Sequence, residues 1–357
     1  GTIAPGWPQV MNGWNWATPA VGDLDNDGDL EIVVTNVQGY TYVWHHDGTE
    51  FLDGDANPAT NGVFHIRVNE WYSFSSPGLV DLNDDGTLEI ILGTRISDGT
   101  TNYLHALQNN GSDLPGWPVS LMSGGKVQCS PAISDLDDDG ILEIVFVTED
   151  DKLHVVDQFG LNKGPFPISF VANNAPAGGV CPSPALGDFD LDGRLDIVAI
   201  SVSGTHTSEI HVVDLDGNLL PGWPRAIAGA SESSPIVGDV TGDGRLDVIF
   251  GIGGASDTQP NYLYAFSYNG GTVPGFPLSM EGPVRATPTL SDVDNDGDID
   301  LVYAGWDLAL HVWDFPTQWD PNFVSWPTFQ GNPLRTGMLP QSWATSVEDP
   351  PSPLPAS

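Results

Sequence analysis

The stretch Asp23-Leu-Asp-Asn-Asp-Gly-Asp-Leu-Glu31 places carboxylates at alternate positions and is followed by an apolar run. Carboxylates this close in sequence repel one another unless a cation neutralises them. Calcium takes about six to eight oxygen ligands, so a loop with oxygens at positions 1, 3 and 5 can wrap around it. Glycine at position 6 permits the sharp turn, and the residue at position 7 can offer its backbone carbonyl. The stretch therefore predicts a calcium loop.

The same nine-residue pattern occurs six times, in copies whose first residues lie 58, 54, 53, 51 and 53 positions apart. We call these copies loops 1 to 6. They are Asp23–Glu31, Asp81–Glu89, Asp135–Glu143, Asp188–Asp196, Asp239–Asp247 and Asp292–Asp300. A single Asp-Gly turn needs no metal. Six copies that all end on an acid favour metal binding.

The predicted ligands fall at five positions of each loop. Position 1 is always aspartate: Asp23, Asp81, Asp135, Asp188, Asp239 and Asp292. Position 3 offers a side-chain oxygen: Asp25, Asn83, Asp137, Asp190, Thr241 and Asp294. Position 5 is again aspartate: Asp27, Asp85, Asp139, Asp192, Asp243 and Asp296. Position 7 varies freely, as expected if only its carbonyl binds: Asp29, Thr87, Ile141, Arg194, Arg245 and Asp298. Position 9 is the closing acid: Glu31, Glu89, Glu143, Asp196, Asp247 and Asp300.

The closing acid separates these loops from the EF-hand. An EF-hand ends with glutamate at position 12, but position 12 is apolar in all six copies. Position 9 lies between two apolar residues, so we expect it to begin the next strand with its side chain turned towards the loop. Loop 5 is the weakest copy, because Thr241 and Gly242 replace an acidic or amide pair.

The overall charge agrees with cation binding and excludes several partners. Ten Lys and Arg against 48 Asp and Glu give a net charge of −38. The ligand positions 1, 3, 5 and 9 hold 22 of these acids, and six divalent ions would reduce the net charge to −26. Nucleic acids and anionic membranes bind through Lys and Arg, so neither is an expected partner. No apolar stretch reaches the roughly 18 residues of a membrane span, and we expect a monomeric domain without membrane insertion.

The residues around each loop predict four short strands per repeat. A Ser/Thr-Pro pair precedes every loop, an alternating apolar run follows it, and a second run comes before a Gly-Trp-Pro or Gly-Phe-Pro phrase in most repeats. This size and strand number are typical of a propeller blade. The distance from Trp7 to Trp326 corresponds to six repeats with one phrase to spare. We therefore predict an all-β propeller of six four-stranded blades over residues 1–340, closed by a terminal strand from the spare phrase. Seven blades are the alternative, if the tail after Leu310 builds an atypical blade.

The repeated pattern resembles the FG-GAP/VCBS repeats of calcium-binding β-propellers, which are related to the headpiece of integrin alpha subunits. The resemblance covers roughly residues 5–337. It implies an extracellular propeller with structural Ca²⁺ in loops on one face. Positions 1, 3, 5 and 9 would bind through side chains and position 7 through its carbonyl. Integrin propellers have seven blades and only some carry metal, whereas every repeat keeps the loop here, which favours a stabilising role for about six ions.

The C-terminal tail also resembles parts of secreted proteins. Residues 326–337 resemble the phrase that often ends such repeats in secreted bacterial proteins. Residues 341–357 are rich in proline and serine, which predicts an extended linker. This linker is similar to the stretch before a C-terminal sorting domain of the type IX secretion kind. The resemblance implies a secreted or cell-surface protein of which this chain is a part.

Candidate ligand-binding residues precede the innermost strands, where the repeats differ from one another. They are Trp14, Trp16, Trp71, Tyr72, Gln128, Glu232 and Arg285. We expect them around the axis, on the face opposite the calcium loops. Aromatic and polar residues at a central mouth suit a carbohydrate or protein ligand, or they plug the channel.

No catalytic residue is predicted. One repeat position holds four histidines and two tyrosines: His105, His154, His211, His311, Tyr42 and Tyr264. A residue type that recurs in most blades points to packing or hydrogen bonding within the blade. The motifs of serine hydrolases, zinc peptidases and phosphate-binding loops are all missing from the sequence.

Two cysteines, Cys129 and Cys181, fall near the start of neighbouring innermost strands. In an oxidising compartment they would form a disulfide between blades 3 and 4. Two buried thiols fit the same spacing.

Three hypotheses for the function follow. The leading one is a calcium-stabilised extracellular module for binding, adhesion or structure. The second is a polysaccharide-active enzyme, a lyase or hydrolase with an axial site, which predicts nonrepeated His, Arg, Tyr or acidic residues at the mouth. The third is an accessory domain of a secreted peptidase.

Overall fold

The computed structural model describes residues 1–57, 59–67, 70–71, 75–96, 101–122, 125–170, 182–202, 207–253, 261–320 and 323–339. These residues form 25 β-strands in six larger sheets and one two-stranded ribbon. They contain no α-helix, and so none that is long and apolar enough to cross a membrane. The predicted all-β fold is confirmed.

The first three blades are antiparallel sheets of four strands each. Blade 1 consists of β1 (Ala20–Gly22), β2 (Glu31–Thr35), β3 (Tyr40–His45) and β4 (Val63–Ile66). Blade 2 consists of β6 (Gly78–Val80), β7 (Glu89–Gly93), β9 (Thr101–Leu107) and β10 (Val119–Met122). The strand β5 (Glu70–Trp71) lies between these two blades in sequence, and it pairs with β8 (Arg95–Ile96), which lies between β7 and β9, to form the separate ribbon. Blade 3 consists of β11 (Ala132–Ser134), β12 (Glu143–Thr148), β13 (Lys152–Asp157) and β14 (Ile168–Ser169).

The last three blades differ in their strand number. Blade 4 consists of β15 (Ala185–Gly187), β16 (Asp196–Val202), β17 (Thr207–Val213) and β18 (Arg225–Ala228). Blade 5 consists of β19 (Ile236–Gly238), β20 (Asp247–Ile252), β21 (Tyr262–Ser267) and β22 (Leu278–Ser279). Blade 6 has three strands among the described residues, β23 (Thr289–Ser291), β24 (Asp298–Ala304) and β25 (Leu310–Gln318). Six blades are thus present, and four strands per blade hold for the first five.

The innermost strand of each blade is three residues long and lies between the Ser/Thr-Pro pair and the metal loop. Proline has no N–H to give to a sheet, so it suits the position just before a strand. Both faces of the second strands β12 and β20 are buried, as expected for a sheet packed between two others. Neighbouring innermost strands lie close together, because a Cβ on Gly187 or Gly238 would come within 2.7 Å of a leucine side chain in the next blade.

A ring of hydroxyl groups joins the blades around the axis. The Ser or Thr before each proline donates its backbone N–H to the hydroxyl oxygen of the equivalent residue in the next blade. The bonded pairs are Thr18–Ser76 (2.9 Å), Ser76–Ser130 (2.9 Å), Ser130–Ser183 (2.9 Å), Ser183–Ser234 (3.0 Å) and Ser234–Thr287 (3.2 Å). Among the described residues, no such bond connects Thr287 back to Thr18. We call these six residues the hydroxyl ring and the missing link the seam between blades 6 and 1.

Packing confirms that the seam differs from the other junctions. Leu310 and Val312 on β25 are 69% and 50% exposed, whereas their register equivalents Leu153 and Val155 on β13 are fully buried. Blade 1 covers its own side of the seam with the N-terminal segment. Trp7 packs edge-on against Trp44, with 6.0 Å between the ring centroids. Among the described residues, side-chain packing therefore does not seal blades 6 and 1.

The N-terminal Gly-Trp-Pro phrase contacts blade 1 as the other copies contact the blade that follows them. Trp7 donates its indole N–H to His46 O at 3.1 Å. Trp117 and Trp223 make the same contact to the next blade along the chain, at 3.1 and 2.9 Å. The phrase is thus a docking element between consecutive blades.

Residues 323–339 run through the centre of the propeller, and we call them the axial segment. This segment hydrogen-bonds the innermost strand of every blade. In ring order from blade 4, the bonds are Ser325 Oγ–Leu186 O (2.9 Å), Trp326 O–Val237 N (2.9 Å), Pro327 O–Leu290 N (2.8 Å), Leu334 O–Val21 N (3.0 Å), Thr336 O–Leu79 N (2.8 Å) and Gly337 O–Ile133 N (2.7 Å). The segment therefore follows the inner wall through all six blades and crosses the seam between blades 6 and 1.

The position of Trp326 corrects one prediction. The sequence predicted that its phrase forms a terminal outer strand that closes the ring. Trp326 instead lies at the axis, is 2% exposed, and bridges Val237 of blade 5. The blades already supply the inner wall, so the large apolar ring is buried more completely at the axis than at an outer edge. The described part of the tail also builds no seventh blade.

Candidate calcium loops and axial cavity

The six loops share one hydrogen-bonding scheme. The position 1 carboxylate accepts the N–H groups of positions 5 and 6, and the position 5 carboxylate accepts the N–H of position 7. In loop 1, Asp23 accepts from Asp27 at 3.1 Å and from Gly28 at 2.9 Å, and Asp27 accepts from Asp29 at 2.9 Å. These bonds use only some of the carboxylate oxygens, and they fix the loop so that the remaining oxygens stay together.

Backbone conformation explains the residue at position 4. This position has a positive φ in all six loops: Asn26, Asp84, Asp138, Leu191, Gly242 and Asn295. Asn, Asp and Gly tolerate the left-handed region best. Gly242 in loop 5, which the sequence suggested as a weakness, thus fits the backbone of its position. Leu191 in loop 4 is the residue that adopts this conformation at a cost.

The closing acid at position 9 anchors each loop to the following strand. Glu31 begins β2 and accepts the backbone N–H of Leu24, at position 2, at 2.8 Å. The equivalent bond has a length of 2.7–3.0 Å in the other five loops. The prediction that position 9 starts the second strand is confirmed in loops 1 to 5, and in loop 6 Asp300 is the third residue of β24.

Burial raises the pKa values of these closing acids. It raises the pKa of Asp196 to about 8 and those of Glu89 and Asp247 to about 7. The pKa values of Glu31 and Glu143 are also raised by burial. Neighbouring loop carboxylates add to the effect, for example Asp190 beside Asp196. A cation inside the loop would compensate both causes.

The carboxylate oxygens fit a divalent cation in most loops. Three carboxylate oxygens lie within 4.8 Å of one another in each of loops 1, 3, 4 and 6. Loops 2 and 5 bring no such trio together among the described residues, because Asn83 and Thr241 replace the acid at position 3. Two oxygens, Asp25 Oδ1 and Asp247 Oδ1, are buried without a hydrogen-bond partner. Buried, unpaired carboxylate oxygens are costly unless a cation binds them.

Loop 3 contains a cation of its own. The Lys163 ammonium lies 2.7 Å from Glu143 Oε1, 3.1 Å from Asp137 Oδ2 and 3.2 Å from Asp139 Oδ2. Partial burial opposes ionisation, but the three carboxylates outweigh it and raise the pKa of Lys163. The backbone N–H of Lys163 donates to Val155 O, and the backbone N–H groups of Leu114 and Leu220 make the equivalent bond in blades 2 and 4. Lys163 therefore occupies a position that holds leucine in blades 2 and 4.

Four of the predicted ligand residues line one cavity. The cavity has a volume of about 420 Å³, and its walls include Trp16, Gln128, Glu232 and Arg285. The hydroxyl ring lines it as well. Because these residues precede the innermost strands and the loops follow them, the cavity lies towards the face opposite the loops.

Trp14 is not among the described residues that line this cavity. Trp14 is exposed and bonds to Gln38 through its backbone N–H at 3.1 Å. The backbone of Trp71 belongs to β5, which pairs with β8. Tyr72 lies outside the described residues.

Charged groups at the cavity form a compact arrangement. Arg285 Nη1 lies 3.4 Å from Glu232 Oε2, and its guanidinium stacks over Trp306 at 4.5 Å from the ring centroid. A second arginine, Arg335 of the axial segment, also lines the cavity and donates to Thr328 Oγ1 and Phe329 O. Sequence reasoning missed Arg335 and the hydroxyl ring. The repeated Ser/Thr before proline was a visible signal for the ring, but nothing local placed Arg335 at the axis.

The recurring histidines serve the blades, as predicted. His154 stacks on Phe146 with 4.7 Å between the ring centroids, and His211 stacks on Phe170 at 4.1 Å. Thr148 and Ser201 hydroxyls lie within hydrogen-bond distance of their Nε2 atoms, at 3.2 and 3.1 Å. Burial lowers the pKa of each of these two histidines to about 4.

Replacing both buried histidines should reduce acid sensitivity. A histidine whose pKa falls from about 6.5 unfolded to about 4 folded stabilises the protein above pH 6.5 and loses this contribution as the pH falls towards 4. The loss is about 3 kcal/mol per residue. We expect the double variant His154→Gln/His211→Gln to lose less stability than the parent between pH 7 and pH 4.5, as measured by urea unfolding. The exposed-site variant His46→Gln is the control, and an unchanged pH slope in the double variant would contradict the prediction.

The predicted disulfide stays a prediction. Cys129 is buried, and its sulfur lies 3.2 Å from Val147 O and 3.1 Å from Val147 N. Cys181 lies outside the described residues.

Three solved structures are similar to this chain at low sequence identity. The C-terminal domain of Pseudomonas aeruginosa PilY1 is 10% identical, with a TM-score of 0.56 over 83% of this chain and 84% of that chain. BBS1N in complex with ARL6DN is 12% identical, with a TM-score of 0.47 over 87% and 85% of the two chains. The biofilm matrix protein Bap1 of V. cholerae is 18% identical, with a TM-score of 0.37 over 72% of this chain and 45% of that one. No curated protein sequence matches the chain.

A sequence-family model identifies the repeats directly. The model for an FG-GAP-like repeat matches residues 23–92, 81–146, 135–199 and 188–250. Each match runs from the first aspartate of one loop to position 12 of the next, so its ends coincide with the loops described above. Together the matches extend from residue 23 to residue 250, which is more than half of the 357 residues. The chain therefore belongs to the FG-GAP repeat family and folds as a β-propeller.

Proposed function

We propose that this chain is a calcium-stabilised propeller that acts outside the cell as a binding or adhesion module, within a larger secreted protein. The unpaired, buried oxygens of Asp25 and Asp247 are the observation that carries the calcium part. In these loops, other carboxylate oxygens already accept hydrogen bonds from backbone N–H groups. A bound ion would complete these loops and hold the second strand of each blade to the innermost one.

The donor chemistry supports calcium over transition metals. The nine positions of every loop contain no cysteine and no histidine. Carboxylates, an amide, a hydroxyl and backbone carbonyls are hard oxygen ligands, which suit calcium or magnesium. Calcium accepts irregular ligand numbers more readily than magnesium, and the loops differ in their carboxylate number. Extracellular modules often bind calcium with dissociation constants of about 10⁻⁴–10⁻³ M, and we expect affinities in this range.

The axial cavity supports binding over hydrolysis. Glycoside hydrolysis generally needs two carboxyl groups on opposite sides of the scissile bond. Among the described residues that line the cavity, Glu232 is the one carboxylate, and Arg285 neutralises it at 3.4 Å. A polar mouth with one paired acid suits recognition of a ligand without turnover.

Metal analysis after equilibrium dialysis tests the calcium proposal. We expect about six calcium ions per chain at millimolar calcium, with loops 2 and 5 among the weaker sites. Substantially no bound calcium under these conditions would overturn the proposal.

A substitution at Lys163 tests calcium binding to loop 3 separately from the other loops. Because its ammonium occupies the carboxylate cluster of loop 3, calcium must displace it to bind there. We expect Lys163→Met to raise the calcium affinity of one site by about tenfold or more, since a positive charge a few ångströms from the ion is removed. Isothermal titration calorimetry of the variant against the parent measures this change.

The matched control is Lys152→Met, which removes a lysine from the same blade. Lys152 pairs with Asp150 at 2.5 Å and makes no described contact with loop 3. Its replacement should leave all calcium affinities within about twofold. Equal calcium binding by the Lys163 variant and the parent would show that the lysine does not compete for loop 3.

A further inference from the structure

The hydroxyl ring presents a set of unused donors to the axial cavity. The side chains of Ser76, Ser130, Ser183 and Ser234 are each more than nine-tenths buried and line the cavity. Each hydroxyl oxygen accepts a backbone N–H from the preceding blade. Among the described residues, no acceptor takes the hydroxyl protons of these four serines. Since buried donors usually find a partner, this converging set points to an oxygen-rich ligand.

The charge at the cavity is opposite to that of the protein. Arg285 and Arg335 are two of only ten basic residues, and both line the cavity. Glu232 is the one acid there among the described residues, so the lining carries a net positive charge in a chain of −38. Arg285 Nε is also buried without a hydrogen-bond partner. An anionic group on the ligand would pair with this guanidinium.

Aromatic side chains add a third kind of contact. Trp16 is exposed at the cavity wall, and Phe329 of the axial segment lines the cavity from the axis. Flat aromatic faces stack on apolar faces of small rings. The volume of about 420 Å³ is within the range for small ligands, and it is far too small for a folded partner.

Resting on the proposed binding function, we propose that the axial cavity binds a carboxylate-bearing sugar, such as the uronic acid residue of an acidic oligosaccharide. The carboxylate would face Arg285, the sugar oxygens would accept hydrogen bonds from the serine hydroxyls of the hydroxyl ring, and Trp16 would cover one face of the sugar. A neutral sugar has no carboxylate to pair with the unpartnered Nε of Arg285. An acidic peptide would use Arg285 but would not match the array of hydroxyl donors.

Two probes that differ only in the carboxylate give a direct test. Calcium-loaded protein is titrated with methyl β-glucuronoside and with methyl β-glucoside, and binding is followed by NMR or calorimetry. We expect the glucuronoside to bind at millimolar concentration or better and at least tenfold more tightly than the glucoside. N-acetylaspartate serves as the peptide-like carboxylate and should bind at least tenfold more weakly than the glucuronoside.

Matched variants assign the binding to the cavity. Arg285→Gln should weaken glucuronoside binding by at least tenfold, whereas Arg225→Gln, an exposed arginine on an outer strand, should leave it unchanged. If Arg285→Gln does not fold, Trp16→Ala replaces an exposed side chain and should still weaken binding severalfold. Equal binding of the two glycosides, preference for N-acetylaspartate, or no binding would overturn the proposal. Full calcium stoichiometry with no glycoside binding would reject this inference alone, whereas loss of calcium binding would reject the proposed function.

Discussion

Excess EDTA is expected to lower the melting temperature of this protein by about 20 °C or more. Ions that bind only the folded chain stabilise it by about 3 kcal/mol per site when calcium is a hundredfold above the dissociation constant. Six such sites give a large total, and each kcal/mol shifts the melting temperature of a chain this long by somewhat more than 1 °C. Chelation also leaves 22 loop carboxylates without their counterions. The loss of bound ions and the repulsion between these carboxylates both lower the melting temperature.

The measurement is a pair of thermal unfolding curves at equal ionic strength, one in 10 mM calcium, which is a hundredfold above a dissociation constant of about 10⁻⁴ M, and one in excess EDTA. Equal concentrations of sodium chloride should not restore the stability, because screening acts weakly on charges a few ångströms apart. Asp25→Asn should lose part of the calcium-dependent gain, since it alters one loop, while Asp47→Asn in an exposed turn should keep it. A melting temperature that does not respond to chelator would contradict calcium stabilisation.

Much of the fold could be predicted because residues within each repeat mark where its strands begin and end. Each proline before a loop, each glycine at position 6 and each acid at position 9 has a local physical role, so six copies give six independent indications of the same strand ends. Glu31 begins β2, as the apolar residues around it suggested. The alternating runs after the loops likewise gave the second strands. Local rules were sufficient wherever neighbouring residues determine the conformation.

The axial segment could not be predicted in the same way. Trp326 belongs to a phrase like those of Trp117 and Trp223, which dock on the following blade. Its own position at the axis depends on which surfaces the six blades leave open, and this is a property of the assembled ring. Lys163 was missed for a related reason. It lies 20 positions after Glu143 in sequence, and only the β13–β14 turn brings its ammonium to loop 3.

Deletion of the axial segment is expected to destabilise the propeller by an amount comparable with, though somewhat smaller than, the effect of chelation. A chain that ends at Asp320 loses the hydrogen bonds to the innermost strands of all six blades. It also loses the segment that crosses the seam, where Leu310 and Val312 are already exposed. We expect this chain to melt at least about 15 °C lower than the full chain, or to aggregate through the opened seam. Thermal unfolding at fixed millimolar calcium, combined with size-exclusion chromatography, distinguishes these outcomes from the parent.

Three further chains separate the role of the axial segment from that of the tail. A chain that ends at Pro340 keeps all axial hydrogen bonds and should match the full chain in melting temperature. Trp326→Ala removes a side chain that is 2% exposed and should cost about 3–5 kcal/mol, while Trp14→Ala, at a 72% exposed position, should cost little. A chain ending at Asp320 that melts within 2 °C of the full chain would mean that the blades close the ring without help. The seam would then have to be sealed by contacts between blades 6 and 1, which the exposure of Leu310 and Val312 argues against.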